Sequence, residues 1–355
     1  PAAAVPRELG ALLLPDVDGE LVPADELLLP GAPLAEVLVP DAPFATLDPQ
    51  VVERYDADAL RAVGVGWGFT VLRAELPTGP DHDLPDEEQW WETLDGDPDL
   101  LVAVRDLDLV DDACWDRALS LLVADPGTAA VLDDRRGYTA WWLRTFATLD
   151  GRTLGHLRAP DDDAFAGLLD PCPHPDADRL RACLAATDVE STEAAALLLD
   201  LLADPDRIPV PVVTVHTHAA LAAASAAGVL DLDDLHLPDA VRSLAGTTVD
   251  AAHALVLDRP WLAAVIPADR LVLGTLPAAP VLADLLDVPL ASAEVSGHVT
   301  GPGRATEWRN EPAAVLAAAV AGRTVPRGPL VVHERLTVRC SGAVTGEHEV
   351  AWWVD

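Results

Sequence analysis

Apolar and polar positions alternate over short distances along this chain, and the pattern predicts many brief elements rather than long ones. Leu12-Leu13-Leu14-Pro15 and Glu20-Leu21-Val22 flank Asp16-Val17-Asp18-Gly19, which predicts a hairpin within residues 9–30, followed by the apolar Leu27-Leu28-Leu29-Pro30. Residues 58–63 read as a helix, Gly64-Val65-Gly66-Trp67-Gly68 as a turn, and 69–76 as a strand. A polar loop over 77–85 leads to a short helix over 86–94 with Trp90 and Trp91, which Asp95-Gly96-Asp97-Pro98 ends. Strands are predicted at 100–104 and 107–110, then a helix over 111–123 with aspartates near its N-terminus. Asp150-Gly151 suits the two positive-φ positions of a type I′ turn, so 138–149 and 152–158 predict a second hairpin.

Helices follow at 176–186, 192–203 and 210–227. The second is apolar on nearly every face and so should be buried. The third has Pro209 and Pro211 at its start and Gly228 just past its end. Further on the pattern gives a strand at 254–257, a short helix near Trp261 and another at 281–286. Asn310 is placed to cap a helix with Pro312 in its first turn, ending at Gly322, with Ala313, Ala317 and Ala321 forming a face for close packing. Strands at 330–339 and 347–354 should pair antiparallel. Mixed elements without a regular βαβ alternation predict an α+β fold of short, mostly antiparallel sheets with packed helices. Three subdomains are expected: 1–98 (α+β), 99–250 (a central hairpin plus helices) and 251–355 (α+β). No solenoid period is visible. The Pro1 start and the strand-like run 350–354 read as ends cut from a longer polypeptide, so the last subdomain is expected to be truncated.

Composition narrows the function classes. Half of the 355 residues are hydrophobic, enough to bury a real core, which excludes disorder along the whole length. The net charge of -36, from 59 acidic against 23 basic residues, repels phosphate backbones and excludes nucleic acid as the expected partner. Every basic residue is Arg, Met is absent, and Ile208, Ile266 and Asn310 are the sole Ile and Asn residues. A GC-rich coding sequence accounts for this set; a halophilic host is the alternative. There is no basic-then-apolar leader and no apolar stretch of membrane-spanning length. Cys114, Cys172, Cys183 and Cys340 make no CxxC pair, and reduced thiols in a cytoplasmic protein are expected.

Chemistry is harder to find. The cluster Gly64–Gly68 precedes a strand, whereas a phosphate-cradling loop follows a strand and opens a helix, so it reads as a helix stop. His216-Thr217-His218 could hold a metal from a strand end, as in amidohydrolases. The flanking proline and alanines favour a helix, on which the two rings point apart. The acidic pairs Asp111-Asp112, Asp133-Asp134, Asp161-Asp162-Asp163 and Asp233-Asp234 read as caps and solvated loops, and Ser243 and Ser296 lack a GxSxG elbow. No catalytic, cofactor-binding or metal residue is therefore assigned, and no cofactor is expected. Ten of sixteen aromatics are Trp. Read as strands, Trp141-Trp142 and Trp352-Trp353 would put a ring on each side of a sheet, either under cover or as an exposed docking patch.

Four segments occur in order: Gly137-Tyr138-Thr139-Ala140-Trp141-Trp142-Leu143-Arg144, Val256-Leu257-Asp258-Arg259-Pro260-Trp261-Leu262, Leu285-Leu286-Asp287-Val288-Pro289-Leu290-Ala291-Ser292 and Ala351-Trp352-Trp353-Val354-Asp355. Together they resemble the region downstream of the nucleotide-binding domain in actinobacterial sacsin-like proteins, whose N-terminal domain is a GHKL-class, chaperone-type ATPase. The resemblance implies an ATPase domain lying before Pro1 and a middle or C-terminal region that mediates protein contacts or relays nucleotide-driven change. Its partners would be that ATPase domain and client proteins. The family's Asp-x-Gly-x-Gly loop and its acidic-base helix have no counterpart here. Two alternatives stand beside this reading: a metal-dependent hydrolase using His216 and His218, and an independent protein-binding module with exposed tryptophans.

Overall fold

Leu13–Pro15 pairs antiparallel with Leu21–Pro23, as the turn chemistry predicts, in a computed structural model that describes residues 9–354. Gly19 supplies the positive φ, 81°, that closes this turn. Expectations that touch Pro1 or Asp355 lie outside the described residues. The fold is α+β, with short, mostly antiparallel sheets between helices. Two compact units form. One takes in the chain up to Asp163 together with Leu169–Thr187, and the other Ala164–Leu168 together with the chain from Asp188; residue 98 falls inside the first and residue 250 inside the second.

One small motif occurs three times. A hairpin leads through a three-residue 3-10 turn into a two-residue strand, which pairs in parallel with a later two-residue strand. In the first copy the hairpin is followed by Ala24–Glu26, then Leu27–Leu28 beside Ala45–Thr46. In the second, Thr148–Leu149 and Arg152–Thr153 lead through Leu154–His156 to Leu157–Arg158 beside Asp170–Pro171. In the third, Ala240–Arg242 and Thr248–Asp250 lead through Ala251–His253 to Leu255–Val256 beside Leu271–Val272. A third segment flanks the central strand each time: the Gly66 amide donates to the Leu27 carbonyl, the Ala185 amide to Leu157, and the Val256 amide to Pro289. A glycine with positive φ closes each hairpin, Gly19 and Gly246 at the same place in their longer turns and Gly151 in a two-residue turn, with φ of 81°, 83° and 74°.

Several expectations change. Residues 138–146 are a helix, Tyr138–Phe146, rather than the first arm of a hairpin. Tyr138, Thr139, Trp142 and Leu143 are buried, the i, i+1, i+4, i+5 stripe that a helix places on one side. The predicted turn survives, with Asp150 and Gly151 at positive φ, but only two residue pairs flank it. Trp141 and Trp142 thus lie on a helix, and Trp352-Trp353 follows the last strand, Gly346–Glu349, so neither pair sits in a strand, although the Trp353 ring packs over Gly297 of Val295–Thr300. Leu107–Leu109 is a 3-10 turn, not a strand, because Asp106 bends the chain with φ of 62°. In 176–186 only a 3-10 turn, Arg181–Cys183, forms. Arg135 and Arg144 take the Ala182 carbonyl and Arg135 also the Leu184 carbonyl, acceptors that a helix would have used internally.

Thr192–Ala203 forms with Ser191 as its cap, and Pro211–Ala226 ends ahead of Gly228 at φ 70°. The late helix is Pro312–Val320, entered through Glu311, while Asn310 belongs to the preceding 3-10 turn and caps nothing. Its predicted packing face, Ala313, Ala317 and Ala321, faces solvent. The single strand expected over 330–339 is two. Pro329–Val332 pairs with Arg304–Glu307, and Thr337–Gly342 lies between Val295–Thr300 and Gly346–Glu349. Residues 350–354 add no strand.

Candidate functional site

His216 and His218 share no ion. Both sit on the helix Pro211–Ala226, where an i,i+2 pair diverges. His216 lies on the outer side with its ring 5.7 Å from Phe165. His218 is buried, and its Nδ1 donates to the Leu273 carbonyl at 3.2 Å. Burial pulls the His218 pKa down to about 4, with Arg242 acting in the same direction and the Leu273 carbonyl against it. Among the described residues no group of three or more His, Cys, Asp or Glu side chains is placed to hold a metal ion.

Two histidine clusters emerge that no sequence spacing announces. His174 is buried near Ser120, with Nε2 3.1 Å from the hydroxyl and 3.0 Å from the Asp116 carbonyl. Its Nδ1 accepts the Asp176 backbone N–H at 3.1 Å, which fixes the ring proton on Nε2. A Ser–His nucleophile pair needs the opposite arrangement, a lone pair on the nitrogen facing the hydroxyl. The cluster therefore locks the chain rather than activating Ser120. Cys172, two residues away, has its thiol pushed up by burial, and Cys183 is pushed up to about 12 by the same cause, so neither is a ready thiolate.

The second cluster gathers on the segment 82–91. Glu87 is buried, and its carboxylate accepts both the His82 backbone N–H at 2.9 Å and the ring Nδ1–H at 2.7 Å. Tyr138 donates to the Pro85 carbonyl at 2.5 Å, and the Trp142 indole donates to Asp86 at 3.2 Å. The Trp90 indole donates to the Arg136 carbonyl at 3.1 Å and packs edge-on to Tyr138. Burial, with Asp86, Asp108 and Glu87 adding to it, pushes the Tyr138 phenol up and keeps it neutral as a donor. A carboxylate–imidazole pair can orient a general base, but here no nucleophilic hydroxyl or thiol is hydrogen-bonded to the far ring nitrogen among the described residues. The pair instead pins the loop to the aromatic helix. Glu87→Ala is expected to leave the His82 amide and ring unpaired and to cost about 1–3 kcal/mol in urea denaturation.

The remaining candidates resolve into local roles. Ser243 bonds Thr247 across a turn and Ser296 bonds Ser341 across two strands. Asp111 caps the turn that starts Asp112–Cys114, and Asp161 pairs with Arg181 at 2.6 Å. Gly64 stops the helix Ala57–Ala62 with φ of 115°. Two shallow, open depressions mark the second unit, one along Gly228–Asp233 and one between Pro280 and Ala293, and neither holds a histidine or cysteine.

Apolar surface is the more distinctive property. Every residue of the helix Pro312–Val320, sequence PAAVLAAAV, is apolar and none is buried; Leu316 is 66% and Val320 81% exposed. Trp352 is half-exposed and stands edge-on to Trp261, whose ring also carries the Arg259 guanidinium. Among the described residues no helix is long and apolar enough to cross a membrane. All four cysteines are unpaired. No family model, no curated protein and no solved structure matches the chain.

Proposed function

We propose that this chain is a non-catalytic region of a sacsin-like, chaperone-type ATPase, working in the cytoplasm and mediating protein contacts or relaying nucleotide-driven change. The observation that supports it is the helix Pro312–Val320. An element that is apolar all round and buries nothing is stable where something else covers it, and exposed apolar surface of this kind marks contact sites. The four family-like segments support the same reading. Three of them build the interior: Tyr138 and Trp142 pack in the first unit, Leu257, Leu262 and Ala291 in the second. The partners under this reading are the family's ATPase domain and client proteins. In titration calorimetry with Mg-ATP, the chain is expected to give no saturable heat; micromolar ATP binding would overturn the reading.

A further inference from the structure

The three copies of the hairpin motif differ in what covers the hairpin. In the second copy the helix Tyr138–Phe146 packs on Arg152–Thr153 and on the 3-10 turn, and Trp115–Ala124 packs on Thr148–Leu149. The approach is close. The Leu154 amide donates to the Ala147 carbonyl just past the helix, and a Cβ on Gly155 would lie 2.8 Å from the Arg144 carbonyl. In the third copy the helix Thr192–Ala203 packs on Ala240–Arg242, and Arg242 donates to the carbonyls of Leu202 and Asp204 at the helix end. The end of a helix thus meets the 3-10 turn that follows the hairpin in the second copy and the hairpin strand itself in the third.

The first copy keeps the equivalent face open. Counting back from the 3-10 turn, Leu13 matches Thr148 and Ala240, and Leu21 matches Thr248. All three counterparts are half-buried, Thr148 and Ala240 on strands that pack against a helix and Thr248 on one that packs against the 3-10 turn Ala268–Arg270, whereas Leu13 is 54% and Leu21 65% exposed. Leu12 and Val17, at the two ends of the first strand, are exposed as well. Where the face is covered the residues are small or polar; where it is open they are large and apolar, the reverse of what solvent exposure favours. The surrounding charge is one-sided as well. Residues 9–53 carry nine carboxylates, among them Asp16, Asp18, Glu20, Asp25 and Glu26, and no basic residue.

We propose that the outer face of the first hairpin, built on Leu13 and Leu21, is a docking site for an amphipathic α-helix of a partner. That helix carries an apolar stripe and arginine or lysine in its last turn. The apolar stripe meets Leu13 and Leu21, which the register puts on one face. The basic last turn offsets both the carbonyl end of the helix dipole and the acidic rim of the hairpin. The inference rests on the internal repeat, not on the ATPase reading, so ATP binding by the chain would overturn that reading and leave this one standing.

The test uses a synthetic 16-residue helical peptide with a leucine–alanine stripe and arginine in its last turn. A scrambled peptide of the same composition serves as control, and binding is followed by amide NMR shifts on the whole chain. Saturable shifts confined to residues 12–23 are expected with the amphipathic peptide. At least tenfold weaker binding is expected for the scrambled one and for the Leu13→Thr/Leu21→Thr variant, which installs a residue the covered copies carry at each position. Equal binding of the two peptides, shifts centred on 312–320, or undiminished binding by the double variant would overturn the proposal. So would a dimer of the chain alone that the double variant abolishes, because the occupant would then be a second copy. Should the variant fail to fold, the comparison of the two peptides on the natural chain decides.

Discussion

Arg242→Leu is expected to lower the unfolding free energy by about 4 kcal/mol or more, the largest loss from any single substitution outside the apolar core. Arg242 is almost wholly buried on the strand Ala240–Arg242, yet it faces no carboxylate in hydrogen-bond contact. Its guanidinium is used as a five-donor fork for backbone. Nε donates to the Leu202 carbonyl at 2.9 Å, Nη1 to Arg207 and Gly246 at 3.0 Å each, and Nη2 to the Asp204 carbonyl. Leu202 and Asp204 belong to the end of Thr192–Ala203, whose last carbonyls have no intrahelical donors. One side chain therefore terminates a helix, holds the chain that leaves it and closes the hairpin turn at Gly246. Leucine would fill part of the volume but strand four carbonyls, that of Leu202 buried and the other three partly so, each costing about 1–3 kcal/mol where water does not enter. Arg242→Lys should recover little, because a compact ammonium cannot span acceptors set around a planar fork. Urea denaturation followed by far-ultraviolet circular dichroism reads the effect. A loss below about 1 kcal/mol would show that water replaces the guanidinium.

The uses of Arg242, Arg135 and Arg144 also explain what could and could not be read from the chain in advance. Elements whose boundaries depend on local chemistry were legible: the Ser191 cap, Pro211 and Gly228 at either end of a helix, the Asp150-Gly151 turn, and the hairpin closed by Gly19. Elements decided by distant partners were not. The segment 176–186 has helical composition, but arginines some 40 residues away claim its carbonyls. Residues 138–146 are rich in β-favouring aromatics, and tertiary burial of Tyr138 and Trp142 against Trp90 and Trp115 decides for helix. The threefold motif was hidden by the uneven spacing of Gly19, Gly151 and Gly246 and by connecting loops of different length. His82 and His174 carry no signal in the sequence because their partners are a carboxylate five residues on, backbone groups and a serine far along the chain, which form no ligand or catalytic pattern. The reading of His216 and His218 as diverging on a helix needed only the 3.6-residue period, and the geometry follows it.

Acidification should destabilise the second unit through His218, and the sign follows from linkage. In the unfolded chain the imidazole titrates near 6.5, while in the fold burial holds it near 4. Between those values the unfolded state binds the proton and the folded state does not, so stability rises with pH across the interval. The contribution is fully present above about pH 6.5 and is lost as pH falls toward 4, amounting to about 3 kcal/mol over the span. Burial outweighs the Leu273 bond, which by itself favours the charged ring. The Nδ1–H bond to the Leu273 carbonyl holds the ring in place, and the Arg242 charge opposes a second cation nearby. Carboxylates titrate in the same range, so the measurement compares the natural chain with His218→Leu by urea denaturation at successive pH values from 4 to 8. The natural chain should be the more stable at pH 7.5, because leucine leaves the Leu273 carbonyl without its donor. Its advantage should then shrink with a slope of about one proton below pH 6.5 and vanish or reverse near pH 4. Parallel pH profiles would mean that His218 takes up its proton inside the fold, through water reaching the far side of Pro211–Ala226, and that its burial is not what keeps it neutral.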